Sequence, residues 1–342
     1  MMKWRGWGQA LVLCGGLAIG GCAVAYEGPK SDHFDGQKFF LPGGPNNAKS
    51  FLTLLKWQMT ADRKVWPAWT ENTKQNDFSR APAPGEHHIH FVNHATLYVH
   101  TSQGAFITDP LFSLRASPFQ WAGPKRVRPP GTELESLPKL DFVLVSHNHY
   151  DHLDEESLVR LKDKYDPKFF VALGDGALLK KRGITKVTEM DWYQTAKVGE
   201  FEIVFVPSQH WSARGMFDRN ESLWGGYIVR SQGKQIYFAG DSGYGPVFKD
   251  IHARYGDMDI SFLPIGAYEP RWFMEEMHMN PDDAVKAHQD VKSKRSIGIH
   301  FGTFQLTDEG IDEPATDLQT ALKKYPELTP FVVPDNGETF YW

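Results

Sequence analysis

Alternating apolar and polar residues begin near residue 87 and predict a strand-rich domain from there onward. Residues 88–92, 96–100 and 105–108 alternate over lengths typical of hairpin strands. Further short apolar runs predict strands at 142–145, 169–171, 201–206, 227–230, 236–239 and 260–263. Helical segments alternate with these later runs, so the pattern favours a mixed α/β domain over an all-β one.

The clearest helix signal covers residues 281–291. Asn280 can cap this helix, Pro281 suits its first position, and the two aspartates that follow favour its positive end. Residues 314–324 begin in the same way and predict a second helix. Strands and helices in two successive halves, with no detectable repeat, predict sheets covered by helices.

Residues 26–85 differ from the rest because they are polar and rich in proline and glycine. Within them, residues 51–59 predict one short amphipathic helix. This helix either packs on the core or faces lipid or an apolar substrate entrance. We therefore divide the chain into a leader at 1–25, an N-terminal extension at 26–85 and a main domain at 86–342.

The leader has the layout of a secretory signal. Lys3 and Arg5 precede the apolar residues 10–19, and small residues follow up to Cys22. Residues 19–22 resemble a bacterial lipobox, which predicts lipidation of Cys22 and a lipoprotein of the cell envelope facing the periplasm. A cleaved, soluble periplasmic or secreted protein and an uncleaved anchor are the alternatives. With Cys14 the only other cysteine, an internal disulfide framework is excluded.

Composition and charge limit the kinds of binding partner that we expect. The formal net charge is −5, and 41% of the residues are hydrophobic. Basic clusters at 125–126, 180–182 and 292–295 are short and scattered, as on an ordinary solvated surface. We therefore expect no nucleic-acid partner.

The densest chemistry lies at residues 146–152, which follow the strand at 142–145. His147 and His149, two residues apart, can bind one ion, while Asp151 and His152 reach a second ion close by. Imidazole and carboxylate ligands without cysteine suit zinc, with iron or manganese possible. The sequence therefore predicts a metal site at a strand end.

Three later residues extend this site. His210, Asp241 and His300 each follow an apolar run that predicts a strand. Each of them alone is a weak signal, because a histidine at a strand end often has a structural role. Together with the first cluster they form the order HxHxDH, then H, D and H, which predicts a site with two ions.

This order resembles the metallo-β-lactamase fold, an αββα sandwich of two mixed sheets flanked by helices. Over residues 90–340 the chain is similar, more narrowly, to the N-acyl-phosphatidylethanolamine-hydrolysing phospholipase D family. The segments that carry the resemblance are 109–113, 115–118, 146–152, 207–211, 240–244, 264–274 and 300–304.

The resemblance implies a ligand set. His147, His149 and His210 would bind one Zn²⁺ and Asp151, His152 and His300 a second Zn²⁺, with Asp241 as the bridging ligand. Asp151 and His278 are the catalytic candidates, and His278 would contact the substrate phosphate or donate a proton. Tyr150 would contact the substrate or fill the core of its loop.

The resemblance also implies a reaction. A hydroxide bridging the two cations would attack phosphorus and release phosphatidic acid from lipids like (N-acyl-)phosphatidylethanolamine. The expected partners are a phospholipid substrate, a membrane surface reached through Cys22, and a second copy of the chain in a homodimer. The alternatives are a metal-dependent lactonase of the sugar-phosphate lactone type and a non-catalytic metal-bound envelope protein.

Several further residues have two interpretations. Asp109 either orients a ligand imidazole or forms the turn before Pro110. His94 belongs to the family's pattern without being one of its ligands, and we predict a structural role for it. Four tryptophans either line an acyl groove or belong to the core: Trp192, Trp211, Trp224 and Trp272.

The lipobox generates a testable prediction. Cys22→Ala should abolish lipid attachment and move the protein out of the membrane fraction, because the acylated thiol is the attachment point. Cell fractionation and the mass of the mature N-terminus would measure this. Unchanged maturation together with unchanged fractionation would rule out a lipoprotein.

Overall fold

The computed structural model describes residues 25–45 and 49–342. The lipidation prediction at Cys22 and nearly all of the leader lie outside these described residues. Among the helices of the described part, none combines the length and the apolar character needed to cross a bilayer.

The first sheet contains seven strands, and five of them correspond to strands predicted from the sequence. Its strands are β1 (His87–Asn93), β2 (Thr96–Thr101), β3 (Gly104–Thr108), β4 (Phe142–Leu144), β5 (Lys168–Ala172), β6 (Val187–Met190) and β14 (Thr339–Tyr341). They are arranged in the order β14-β1-β2-β3-β4-β5-β6. Pairing is antiparallel from β14 to β3 and parallel from β3 to β6.

The second sheet repeats this half-antiparallel, half-parallel design. Its strands are β7 (Thr195–Val198), β8 (Phe201–Val206), β9 (Gly226–Ser231), β10 (Lys234–Phe238), β11 (Ile260–Pro264), β12 (Ser296–Ile299) and β13 (Phe331–Val332). They are arranged in the order β13-β12-β11-β10-β9-β8-β7. Pairing is antiparallel from β7 to β10 and parallel from β10 to β13.

The described residues also form seven helices. They are α1 (Phe51–Thr60), α2 (Glu155–Tyr165), α3 (Gly176–Lys181), α4 (Val247–Tyr255), α5 (Arg271–Met274), α6 (Pro281–Asp290) and α7 (Glu313–Leu322), with a 3₁₀ turn at Leu134–Ser136. Asn280 caps α6 as predicted, because its side chain accepts a hydrogen bond from the Asp283 amide.

Three apolar layers follow from this arrangement. Side chains from the inner faces of both sheets form the central layer, which includes Phe91 and Phe238. Leu158 and Leu161 of α2 pack on the outer face of the first sheet, whereas α4, α6 and α7 pack on the second. The molecule is therefore an αββα sandwich, and the predicted fold is confirmed.

The N-terminal extension is packed into this sandwich. Phe34 and Phe39 are buried in the central layer, and Trp57 of α1 stacks on Phe273 with ring centroids 4.8 Å apart. The Trp57 indole also donates a hydrogen bond to Asp308 at 3.1 Å. The helix thus packs on the core, although Leu52, Leu55 and Met59 on the same helix are exposed.

The direction of the strands brings the residues of the predicted metal site together. β1, β3 and β4 run in one direction in the first sheet, as do β8, β10, β11 and β12 in the second. The loops that follow these strands carry the candidate residues of the metal site. Both sheets therefore contribute to it at the carboxyl ends of their strands.

Candidate metal centre

The first half of the site consists of three imidazoles that point at one another. His147 Nε2 lies 2.9 Å from His149 Nδ1, which lies 3.3 Å from His210 Nε2. The far nitrogen of His147 lies 2.9 Å from the Ser146 hydroxyl oxygen, and that of His210 lies 3.0 Å from the Met277 carbonyl oxygen.

These outer contacts determine which nitrogens carry hydrogen. The Met277 carbonyl can only accept, so His210 Nδ1 donates and His210 Nε2 keeps a lone pair. The Ser146 hydroxyl donates to Asp109, so it accepts from His147 Nδ1 and leaves a lone pair on His147 Nε2. Two imidazole lone pairs therefore face the same point, as ligands of a cation do.

The second half of the site is built around carboxylates. His300 Nε2 lies 3.2 Å from Asp151 Oδ2 and 3.1 Å from Asp241 Oδ2. His152 Nε2 lies 3.4 and 3.2 Å from the same two oxygens. Asp241 Oδ2 also lies 3.8 Å from His210 Nε2. Asp241 thus lies between the two halves, as the predicted bridging ligand should.

A glycine allows this approach of the two sheets. Gly240, just after β10, has φ +61, and a Cβ there would lie 2.8 Å from the Ser146 side chain and 2.7 Å from the Gly225 carbonyl. Both the backbone conformation and the lack of space therefore require glycine. Asp241 is carried to within reach of His152 by this close contact.

The donor set fits divalent transition metals. Nitrogen and carboxylate oxygen are ligands that zinc, iron and manganese share. Among the described residues, His152 Nε2 and Asp241 Oδ1 are buried without a hydrogen-bond partner. Buried polar atoms of this kind normally have one. His147, His149 and His210 would hold one cation, and Asp151, His152 and His300 would hold another, with Asp241 between them.

The electrostatics show that the carboxylates require positive charge. Burial would lower the pKa of His300, yet Asp241 and Asp151 raise that pKa to about 9. They likewise raise the pKa of His152 well above its ordinary value, against the effect of burial. In the first half, burial and its neighbouring histidines lower the pKa of His147. The first half is thus neutral, and the second half attracts cations or protons.

Asp109 orients residues of both halves. Its buried carboxylate accepts from His152 Nδ1 at 2.6 Å, and from the Ser146 hydroxyl at 2.6 Å. The Ser146 amide donates to its other oxygen at 2.7 Å. Because Ser146 in turn holds His147, one carboxylate fixes an imidazole of each half. Of the two interpretations of Asp109, the orienting one is supported by these contacts.

His94 also belongs to the metal site, which the sequence did not predict. Its ring is buried, with Nε2 3.1 Å from Asp151 Oδ2 and its centroid 4.1 Å from that of His300. Its backbone carbonyl also accepts from the His300 amide at 2.8 Å. His94 therefore supports Asp151 and His300, in addition to the structural role that we predicted. Its place at the end of β1 was the available signal.

His278 and Tyr150 lie beside the centre. His278 Nδ1 is 3.9 Å from Asp241 Oδ2, and burial lowers the pKa of His278 to about 4. Its ring is therefore neutral near pH 7 and suits hydrogen bonding better than proton donation. Tyr150 packs under the Arg214 guanidinium, 4.0 Å from its ring centroid, and its side chain also reaches the cavity described next.

An apolar cavity of about 520 Å³ opens onto the centre. Asp241, His278 and His300 lie at its polar end, whereas Trp57, Phe273 and Met274 lie on its apolar walls. Trp211 also lines it, in agreement with the groove interpretation. Trp192 and Trp224 instead belong to the central core, and Trp272 is 42% exposed.

Comparison with known proteins agrees with the fold and the metal cluster. The sequence profile of the beta-lactamase superfamily domain matches residues 105–301, more than half of the chain. The chain belongs to the β-lactamase superfamily. The metallo hydrolase Igni18 of Ignicoccus hospitalis has the same fold, with a TM-score of 0.58 and 21% identity over 75% of this chain and 98% of that one.

Two relatives are phospholipases by name. N-acyl-phosphatidylethanolamine-hydrolyzing phospholipase D 1 of Caenorhabditis elegans is 42% identical over 262 residues, which cover 72% of this chain and 74% of that one. The mitochondrial enzyme of the same name from Saccharomyces cerevisiae is 36% identical over 62% of this chain and 47% of its own length. This superfamily member is therefore a metal-dependent hydrolase related to both.

The role of Asp109 gives a prediction. Asp109→Asn should weaken binding of zinc by about 10–100-fold, because an amide cannot hold both His152 and Ser146 as a carboxylate does. Titration of the metal-free protein against a chromophoric chelator would measure the affinity. Asp163→Asn on the exposed face of α2 is the matched control and should bind zinc normally. Equal affinity of both variants would contradict the orienting role.

Proposed function

We propose that this protein is a phospholipase D-type phosphodiesterase, which hydrolyses (N-acyl-)phosphatidylethanolamine-like lipids to phosphatidic acid and the free head group. The observation that carries the proposal is the cavity, which joins a cluster of metal-binding side chains to apolar walls. A lipid has the same polarity, because its charged phosphodiester adjoins long acyl chains. The similarity to the two phospholipases supports this choice of substrate.

Bound zinc ions would supply a water of lowered pKa and positive charge opposite the phosphate oxygens. The chain's own residues orient the lipid. His278, neutral and at the cavity wall, can donate a hydrogen bond to a phosphate oxygen. Phe273 and Met274 offer apolar contact to the acyl chains.

Several exposed apolar side chains lie on or near the segments that line the cavity. We call them the apolar rim: Leu52, Leu55, Met59, Leu114, Trp121, Met216, Phe217 and Trp272. Soluble proteins seldom expose large apolar side chains in one area without a partner. The rim therefore supports access of a lipid from a membrane surface, which lipidation at Cys22 would bring close.

Product analysis tests the proposed reaction. Protein reconstituted with zinc should release phosphatidic acid from mixed phospholipids that include N-acyl variants, as measured by mass spectrometry. Chelator should abolish release, and Asp151→Asn should lower the rate at least about 100-fold because it removes a carboxylate ligand. Asp163→Asn should retain the rate.

Two results would contradict the proposal. Intact lipids together with opening of a sugar-phosphate lactone would assign the centre to carbonyl chemistry, since the same donors serve both reactions. Fewer than about one transition-metal ion per chain after reconstitution, by elemental analysis, would contradict the two-cation site.

The rim gives a separate prediction. The double variant Met216→Ser, Phe217→Ser should bind phospholipid vesicles about tenfold more weakly, because two exposed apolar side chains no longer enter the lipid. Vesicle sedimentation would measure binding. Tyr341→Ser is the control, because Tyr341 is exposed and pairs with the start of β1, whereas the centre lies beyond the end of that strand. Vesicle binding equal to that of the control would exclude the rim as a lipid contact.

A further inference from the structure

Arg214 is a buried arginine, and one terminal nitrogen of its side chain contacts both ends of the metal-binding loop at 147–153. Only 3% of its side chain is exposed. One terminal nitrogen donates to the Asn148 carbonyl at 2.9 Å and to the Leu153 carbonyl at 3.0 Å. The other donates to Glu155 at 2.8 Å. Arg214 was not among the site residues that the sequence predicted.

The two carbonyl groups that Arg214 contacts lie on either side of three candidate ligands along the chain. Asn148 and Leu153 flank the four residues that contain His149, Asp151 and His152. Inside the loop, the backbone amides of His152 and Leu153 both donate to the His149 carbonyl, which forms one tight turn. The remaining support for the two ends therefore comes from outside the loop, and Arg214 joins both ends through a single nitrogen.

External support matters here because like groups among the ligands, lone pair against lone pair and carboxylate against carboxylate, repel each other. His147, His149 and His210 bring nitrogen atoms to within about 3 Å, and Asp151 and Asp241 place two carboxylates on the same imidazoles. A loop held only by its own turn would relax away from such contacts in the metal-free state. A rigid brace keeps the ligands near their binding positions and lowers the cost of ordering them.

The chemistry of the side chain fits this task. A planar guanidinium can donate from two nitrogens and stack on a ring at the same time, which a lysine ammonium cannot do. Arg214 does both, since its two terminal nitrogens donate and its Cζ lies 4.0 Å from the Tyr150 ring centroid. Glu155 offsets its charge, so a cation is not bound beside an unbalanced positive group.

We propose that Arg214 is a positioning residue for the metal centre, which holds both ends of the loop at 147–153 so that His149, Asp151 and His152 meet the cations without rearrangement. Arg214 also connects two parts of the site. It lies on the loop at 212–222, whose tip carries the rim residues Met216 and Phe217.

Metal titration of the purified full chain tests this role independently of any substrate. Arg214→Lys should bind zinc about 10–100-fold more weakly than the unaltered chain in chelator competition. The visible absorption spectrum of its Co²⁺ complex should also change in shape, because the spectrum reports ligand geometry. A merely structural arginine would lower the unfolding temperature and leave both readouts unchanged.

Matched variants keep the test decisive. Arg230→Lys is the control, since Arg230 contacts a carboxylate, an amide oxygen and an aromatic ring far from the centre. Glu155→Gln, which weakens the anchor of the guanidinium, should shift zinc affinity in the same direction by about threefold. If Arg214→Lys fails to fold, the Glu155→Gln result decides. Unchanged affinity and an unchanged Co²⁺ spectrum in the folded variant would overturn the proposal, whatever the substrate of the enzyme.

Discussion

The structure depends on one electrostatically unfavourable arrangement. Buried imidazoles and carboxylates are held close together, and they have too few hydrogen-bond donors for all of their acceptor atoms. His147 and His210 direct lone pairs at a common point because Ser146 and Met277 occupy their other nitrogens. Asp241 Oδ2 lies within 3.8 Å of His152, His210 and His300. Cations relieve this arrangement, and in their absence protons on His152 and His300 take over part of the role.

The sandwich supplies the rigidity that this arrangement needs. Large apolar side chains of both sheets fill the central layer. The strand ends of the two sheets, which carry the metal site, therefore cannot separate easily. Asp109, His94 and His300 have φ of 33, 45 and 62, a conformation that is uncommon for residues other than glycine. Such backbone conformations persist only where packing over-determines them, and here they aim three side chains at the centre.

The sequence predicted what depends on local pattern. The apolar runs located most central strands, and the capping residues located α6, because these signals lie within a few neighbouring positions. Short edge strands such as β6 and β14 carry too few apolar residues to be recognised. The supporting contacts of His94 and Arg214 could not be predicted, because they join residues 57 and 66 positions apart. The family's order of ligands, by contrast, can be recognised directly in the sequence.

The metal centre and the apolar rim share loops, and this limits how each can change. His210 and Trp211 lie in the loop that follows β8, and the next residues of this loop include both Arg214 and the exposed tip at Met216 and Phe217. A substitution at this tip can therefore reach the metal-binding loop through the bonds from Arg214 to Asn148 and Leu153. New substrates would be acquired with least disturbance in the segments that wall the cavity without bracing ligands, such as α1. The ligand set can then remain constant while the cavity walls change.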